Sequence, residues 1–398
     1  MLVMLALATL VPAFALAQAP LDSTQAVPQR DIMDILAKLL GKELNQPEVT
    51  IESRRGLSYV FLPSVGYNPS YGAFIGVSVS AGGSIGDPRT TTPSIFSAGV
   101  SYSTTHQTSV QIRSDFYLPN NTWKLSGDWR YLDTTEDTYG LGPAESGQPA
   151  YPMAFTLYRF YQVVYKRLGS SIYNLGLGYL YDGHENIEDT RAKNGETTPY
   201  SVYSGGTARS VSSGVSFELL VDTRDNPINA THGVFVNTSL RSFSEALGGE
   251  RSWQGIWSEF RTYVDVPGDK RQTFALWNYF WLSFGHAPYF DLPATTWDRY
   301  GRASRGYLRG RIRGQNQIYT EGEYRRTLTR DGLLGAVGFF NVMATTASAT
   351  GAFGSLDPGG GVGVRLKFNK KNDTNAAMDF AWGDTEKMGI FFGLQEVF

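Results

Sequence analysis

Residues 173–181, Tyr173-Asn174-Leu175-Gly176-Leu177-Gly178-Tyr179-Leu180-Tyr181, decide the fold class. Tyr173, Leu175, Leu177, Tyr179 and Tyr181 alternate with Asn174, Gly176 and Gly178. Successive side chains of an extended chain point to opposite faces, so a period of two describes one β-strand with an apolar and a polar side. The same rhythm runs outward in both directions. Val110, Ile112, Phe116 and Leu118 alternate with Gln111, Arg113 and Asp115, and Trp123, Leu125, Trp129 and Tyr131 with Lys124, Ser126, Asp128 and Arg130. Val215, Phe217, Leu219 and Val221 alternate with Ser216, Glu218 and Asp222, and Val362, Val364, Leu366 and Phe368 with Gly363, Arg365 and Lys367. Met388, Ile390, Phe392 and Leu394 close the chain in the same pattern.

A soluble sandwich alternates as well. Two features favour a membrane instead. The polar faces combine charges with glycine, as a wet lumen requires, and Tyr and Trp sit at the ends of the apolar faces, where interfacial girdles belong. Sixteen such segments are expected between residues 57 and 398. The first spans 57–64 and the last 386–398; 122–132, 154–166 and 171–182 lie between them. With the N-terminus in the periplasm, the long connections 133–153, 183–210, 244–251, 285–314 and 343–359 all fall outside. The opposite turns, such as Pro119-Asn120-Asn121 and Pro267-Gly268-Asp269, are short. Long outer loops and short periplasmic turns are the habit of outer-membrane barrels. The fold class is therefore all-β, a transmembrane antiparallel β-barrel of about 16 strands, with a short N-terminal helix.

Composition agrees. The chain has 398 residues, no cysteine, 23 Tyr, 23 Phe, 8 Trp and 44 Gly. The absence of cysteine excludes disulfides and thiolate metal sites. A net charge of −2 gives no reason to expect nucleic acid. The apolar stretch 2–16, with small residues at Ala15 and Ala17, reads as a signal peptide over 1–17, directing export to the bacterial outer membrane. A linker and short helix fill 18–56. In that helix Ile32, Ile35, Leu36, Leu39 and Leu40 recur at helical spacing after Asp31 and Asp34. It either plugs or lies on a surface, or docks on the barrel rim. The barrel occupies 57–398.

Four stretches carry a family resemblance. The longest expected loop contains Ser304-Arg305-Gly306-Tyr307-Leu308-Arg309-Gly310-Arg311, and the strand after it Tyr319-Thr320-Glu321-Gly322-Glu323-Tyr324-Arg325. The others are the turn Asp222-Thr223-Arg224-Asp225-Asn226-Pro227 and the closing segment Gly389-Ile390-Phe391-Phe392-Gly393-Leu394, which runs on to Phe398. In order and placement they resemble the superfamily of outer-membrane assembly factors that includes BamA and TamA. The resemblance implies that Arg305, Gly306 and Tyr307 form a functional loop directed into the lumen. It implies that Phe392, Leu394 and Phe398 form the C-terminal barrel signal.

The residues support part of this independently. Gly306 permits a tight bend beside Arg305. Gln317, Tyr319, Glu321, Glu323 and Arg325 share one parity and face the lumen, so an inward loop brings Arg305 to Glu323 in a charge-assisted pair. The resemblance implies a second acid on the next strand. Asn341 stands there, an amide without charge, and Asp379 is the inward acid able to compensate. The alternative is a solvated basic loop of Arg302, Arg305, Arg309, Arg311 and Arg313, able to bind lipopolysaccharide phosphates or heparin-like polyanions.

The four His residues are scattered without metal-ligand spacing, so no metal, cofactor or enzymatic centre is expected. Asp182 and His184 lack a serine partner for hydrolase chemistry. Gly359-Gly360-Gly361 is followed by no Gly-Lys-Ser/Thr and is not a phosphate loop. The family's assembly factors usually carry periplasmic modules, and residues 18–56 leave no room for one. The expected function is assistance in inserting or translocating unfolded outer-membrane or secreted polypeptides. A short first strand, flanked by Gly56 and Gly66 and containing Pro63, would make a weak seam with the last. The alternative is a passive channel or structural anchor. Partners are outer-membrane lipids, lipopolysaccharide and polypeptide clients.

Overall fold

The computed structural model describes residues 28–41, 55–68, 72–145, 147–266, 269–346, 351–370, 373–384, 389–394 and 396–398. The expected signal peptide and most of the 18–56 linker lie outside the described residues. The strands are β1 (Ser58–Asn68), β2 (Gly72–Gly83), β3 (Ser94–Ser103), β4 (Thr108–Tyr117), β5 (Trp123–Thr138), β6 (Tyr151–Arg167), β7 (Tyr173–Asp189) and β8 (Ser210–Asp222). They continue with β9 (Gly233–Phe243), β10 (Trp253–Val266), β11 (Asp269–Gly285), β12 (Asn316–Thr327), β13 (Leu334–Thr346), β14 (Phe353–Asn369), β15 (Thr374–Gly383) and β16 (Gly389–Leu394). Each pairs antiparallel with the next, giving one sixteen-stranded sheet in sequence order.

The sheet curls into a barrel because its two faces differ as the alternation requires. Leu177, Phe340 and Phe392 on the outside are 70%, 61% and 62% exposed, while Tyr319 and Gln317 on the inside are fully buried. An exposed apolar surface this continuous suits lipid, not water. Cross-strand aromatic pairs reinforce it: Trp129 lies opposite Phe160 with ring centroids 5.3 Å apart, and Tyr131 opposite Tyr158 at the same separation. At the β4–β5 turn, Asn120 and Asn121 take φ of 57° and 55°, a left-handed backbone that Asn tolerates better than most residues. No helix among the described residues is long and apolar enough to cross a membrane.

Three boundaries differ from expectation. Strands β5, β6 and β7 run on to Thr138, from Tyr151 and to Asp189, well into the stretches expected as loops. Asp133-Thr134-Thr135-Glu136-Asp137 is polar on both faces, so its alternation is invisible, yet Thr134, Glu136 and Thr138 are buried inside. Second, β1 is not short. It has 11 residues and carries Pro63 and Gly66 within its ladder to β2, opposite Val77 and Phe74. Among the described residues the shorter member of the seam is β16, with 6 residues. Among the described residues no ladder joins β1 to β16. Third, the chain leaves the sheet after β16. Val397 and Phe398 turn into the lumen, where the Phe398 ring meets Trp277 at 5.4 Å and Tyr263 at 6.3 Å. The final strand therefore does not run to Phe398.

The helix Ile32–Leu39 docks on the turns at the end of the barrel that carries the termini. Lys370 after β14 donates to Asp34 at 2.8 and 2.9 Å, and the Arg30 amide donates to the Asp331 carbonyl between β12 and β13. This is the rim position of the two foreseen, not a plug.

Candidate functional site

The 286–315 connection between β11 and β12 folds into the barrel. It turns inward because its own residues supply the bends. The Asp298 carboxylate accepts from the backbone of Tyr300, Arg302 and Ala303 at 2.9–3.1 Å, and Ser304 and Gly306 both take positive φ. At Gly306 (φ 107°) a Cβ would stand 2.5 Å from the Trp382 carbonyl oxygen on β15, so only glycine lets the loop reach the wall. The wall is made for that approach. On β14, Gly359, Gly361 and Gly363 are places where a Cβ would strike Asn341, Phe339 or Asp379. The Gly359-Gly360-Gly361 run is a seat for the loop and its neighbours.

Arg305 occupies the centre and is buried. Its guanidinium reaches three carboxylates: Glu321, Glu323 at 2.5 Å and Asp379 at 2.8 Å. Its plane lies over the Phe339 ring at 3.4 Å. The cluster continues outward. Arg325 donates to Glu323 at 2.7 Å, and Arg365 to Asp379 at 2.6 Å and Glu396 at 2.7 Å. The Tyr319 hydroxyl donates to Glu321 at 2.5 Å. Charges removed from water cost several kcal/mol each and persist only when paired and hydrogen-bonded on every side. Arg305 meets that condition through strands β12 and β15, which are distant in sequence.

Asn341 does not take the place of an acid. Its amide nitrogen donates to the Arg305 backbone carbonyl at 3.0 Å, so it holds the loop's chain and not its charge. Tyr307 is buried; its hydroxyl donates to the Pro358 carbonyl at 2.6 Å and accepts from the Asp384 amide at 3.2 Å. Phe392 sits on the outer face, Leu394 ends β16, and Phe398 lies in the lumen. The three do not share one face. Sequence reading named Glu321 only by its parity and did not pair it with Arg305. It did not pick out Arg365, Phe339 or Glu136 as site residues; the partners of Glu136, Trp297 and Arg313, lie 161 and 177 residues away.

The loop is clamped a second time on β5. Glu136 receives Arg313 at 2.5 Å and the Trp297 indole at 2.7 Å. Arg311 donates to Gln148 at 2.8 Å, and Arg309 to Thr134 at 2.6 Å. Arg302 donates to the Glu396 carbonyl. The five arginines that formed the alternative basic loop are thus all engaged within the protein.

At the outer end of the lumen, Asp182 is occupied by Arg159 at 2.6 Å and by the Tyr161 hydroxyl. His184 is buried, with Nδ1 3.8 Å from Asp291. Ser212 donates to Asp291 at 2.6 Å rather than to the imidazole, so no nucleophile–base pair forms. No group of three metal-ligating residues occurs among the described residues.

No family model matches the chain. No curated protein matches it by sequence. Solved structures do match it by shape. BamA from Haemophilus ducreyi, in a form lacking POTRA domains 1-3, is 15% identical; the match covers 85% of this chain and 69% of that one, with a TM-score of 0.50. CdiB from Acinetobacter baumannii is 9% identical; the match covers 85% of this chain and 59% of that one, with a TM-score of 0.53. The chain therefore spans less than two thirds of CdiB. At these identities the likeness is one of fold, the barrel fold of BamA and CdiB.

Proposed function

We propose that this barrel, sharing the fold of BamA and CdiB, resides in a bacterial outer membrane and assists insertion or translocation of polypeptides at its own wall. The observation that carries the reading is an asymmetry of fastening. The inward loop is locked to β12 and β15 through Arg305, while β1 and β16 share no ladder among the described residues. A wall held firm from within and unpaired at its seam can present a strand edge to an incoming strand. Outer-membrane lipids and lipopolysaccharide would cover the apolar face, and unfolded outer-membrane or secreted polypeptides would be the clients. A passive channel fits less well, because the 286–315 loop occupies the lumen.

The test is reconstitution into liposomes and timing of the folding of an unfolded outer-membrane protein. The barrel should accelerate that folding, and Arg305→Ala should lose most of the acceleration while staying folded. Because the chain has no cysteine, a pair introduced across the seam near residues 60 and 391 reports cleanly. Oxidising it should stop the acceleration and reducing it should restore it. Unchanged acceleration with the seam crosslinked would sink the proposal.

A further inference from the structure

Between the loop and the wall formed by β5 to β11 the lumen is not filled. A cavity of about 120 Å³ remains, many times the roughly 10–15 Å³ that one water needs. It continues towards the end of the barrel that carries the termini, past Phe235, Glu259, Arg261 and Arg299, which also line the next cavity.

The cations around this space are paired, with one exception. Lys124 lies 3.2 Å from Asp115, Arg159 2.6 Å from Asp182, Arg261 2.8 Å from Glu259, and Arg299 3.3 Å from Asp115. Arg241 on β9 has no carboxylate within ion-pair distance among the described residues. Its Nε donates to the Ser239 hydroxyl at 3.1 Å, and Ser239 in turn donates to Glu218 at 2.7 Å, so Glu218 is reached only through a neutral group. The space beside Arg241 is also kept clear. Its neighbours across the two ladders are Gly255 and Ser216, two of the smallest residues. Ser216 is buried and its hydroxyl has no hydrogen-bond partner. The guanidinium also lies over two aromatic rings, 5.7 Å from the Tyr161 centroid and 6.0 Å from the Trp257 centroid.

An arginine left without a counter-charge inside a barrel is costly unless water or an anion completes it. Its planar donor fork suits a carboxylate or phosphate, and indole and phenol faces suit a polar ring. We propose that this cavity binds a sugar-sized organic anion, with Arg241 as its counter-charge and Tyr161 and Trp257 as its walls. The site is separate from the Arg305 lock and does not depend on the insertion reading.

The test uses the full chain folded in detergent and its tryptophan fluorescence, since Trp253, Trp257 and Trp281 line the cavity. Glucuronate, glucose and inorganic phosphate are the probes. Glucuronate should give a saturable change, with glucose and phosphate at least about tenfold weaker. Arg241→Gln should weaken glucuronate binding about tenfold or more, the scale of one hydrogen bond to a charged group, and Arg241→Lys should recover part of it. Gly255→Val keeps the charge but fills the space beside it, and should also abolish the response; it serves if Arg241→Gln does not fold. A response equal in wild type, Arg241→Gln and Gly255→Val, or no saturable response to glucuronate, overturns the site. Phosphate binding as tightly as glucuronate overturns the sugar-sized ligand.

Discussion

The two walls of the lumen are built on one alternating pattern and end as opposites. On the β12–β15 side the loop lies against the strands and Arg305 is matched to three carboxylates, with a cavity of about 280 Å³ beside it. On the β5–β11 side Arg241 faces a cavity of about 120 Å³ with no carboxylate within ion-pair distance among the described residues. Gly359 on β14 lets the Arg305 backbone come close, whereas Trp253, Trp257, Trp277 and Trp281 on β10 and β11 pack against other parts of the loop and also line the cavity.

The contrast is broken most directly at its two arginines. Arg305→Ala leaves Glu321, Glu323 and Asp379 buried with a cation removed, a loss of about 3–5 kcal/mol by the usual cost of splitting a buried pair. Arg241→Gln strands no carboxylate and should cost about 1 kcal/mol or less. Urea midpoints of the two variants in one detergent decide it. Equal midpoints would show that the two walls are not energetically distinct.

The second clamp is expected to be weaker than the first. Glu136→Gln removes the counter-charge of Arg313 but keeps an acceptor for it and for the Trp297 indole. A loss of about 1.5–3 kcal/mol follows, on the scale of hydrogen bonds to charged groups. The 286–315 loop should then be cut faster by protease, with the Arg305 end still protected. Simultaneous cleavage at both ends would mean that the loop is released as one unit.

Most of the architecture was legible because lipid and lumen demand different chemistry from adjacent residues. Leu177, Phe217 and Phe392 announce their face without help from distant sequence. The inward course of Arg305 was legible too, because Glu323 lies on a strand whose parity is plain. What was hidden depends on contacts between remote segments. Glu136 sits in a stretch polar on both faces, and nothing local marks it as the partner of Arg313, 177 residues away. Asn341 sits where an acid was expected, and local reading could not tell that its amide would hold the Arg305 carbonyl. The inward turn of Phe398 was missed for a related reason. Its parity continues the outer face of β16, and only the shelf of Trp277 and Tyr263 draws it inside.

The loop itself holds the finest version of the comparison. Arg305 at its tip has three carboxylates, while Asp291 near its start has no arginine or lysine within ion-pair distance among the described residues. One Asp291 oxygen accepts from Ser212 at 2.6 Å; the other is buried without a hydrogen-bond partner, 3.8 Å from His184 Nδ1. Burial, and next the charge of Asp182, push the Asp291 carboxyl up to about 8. In the unfolded chain an aspartate titrates near 4, at about 3.9. Between those values the folded state keeps a proton that the unfolded state has released. The contribution to stability is therefore complete below about pH 4 and falls as pH rises towards 8, with a slope of at most about 1.4 kcal/mol per pH unit for one proton. Asp291→Asn carries no such proton. The difference in urea midpoint between wild type and Asp291→Asn should move in favour of the variant from pH 5 to pH 8.5. A constant difference across that range would place the Asp291 carboxyl in an environment that water or a cation already relieves, and the outer end of the loop would then be matched like its tip.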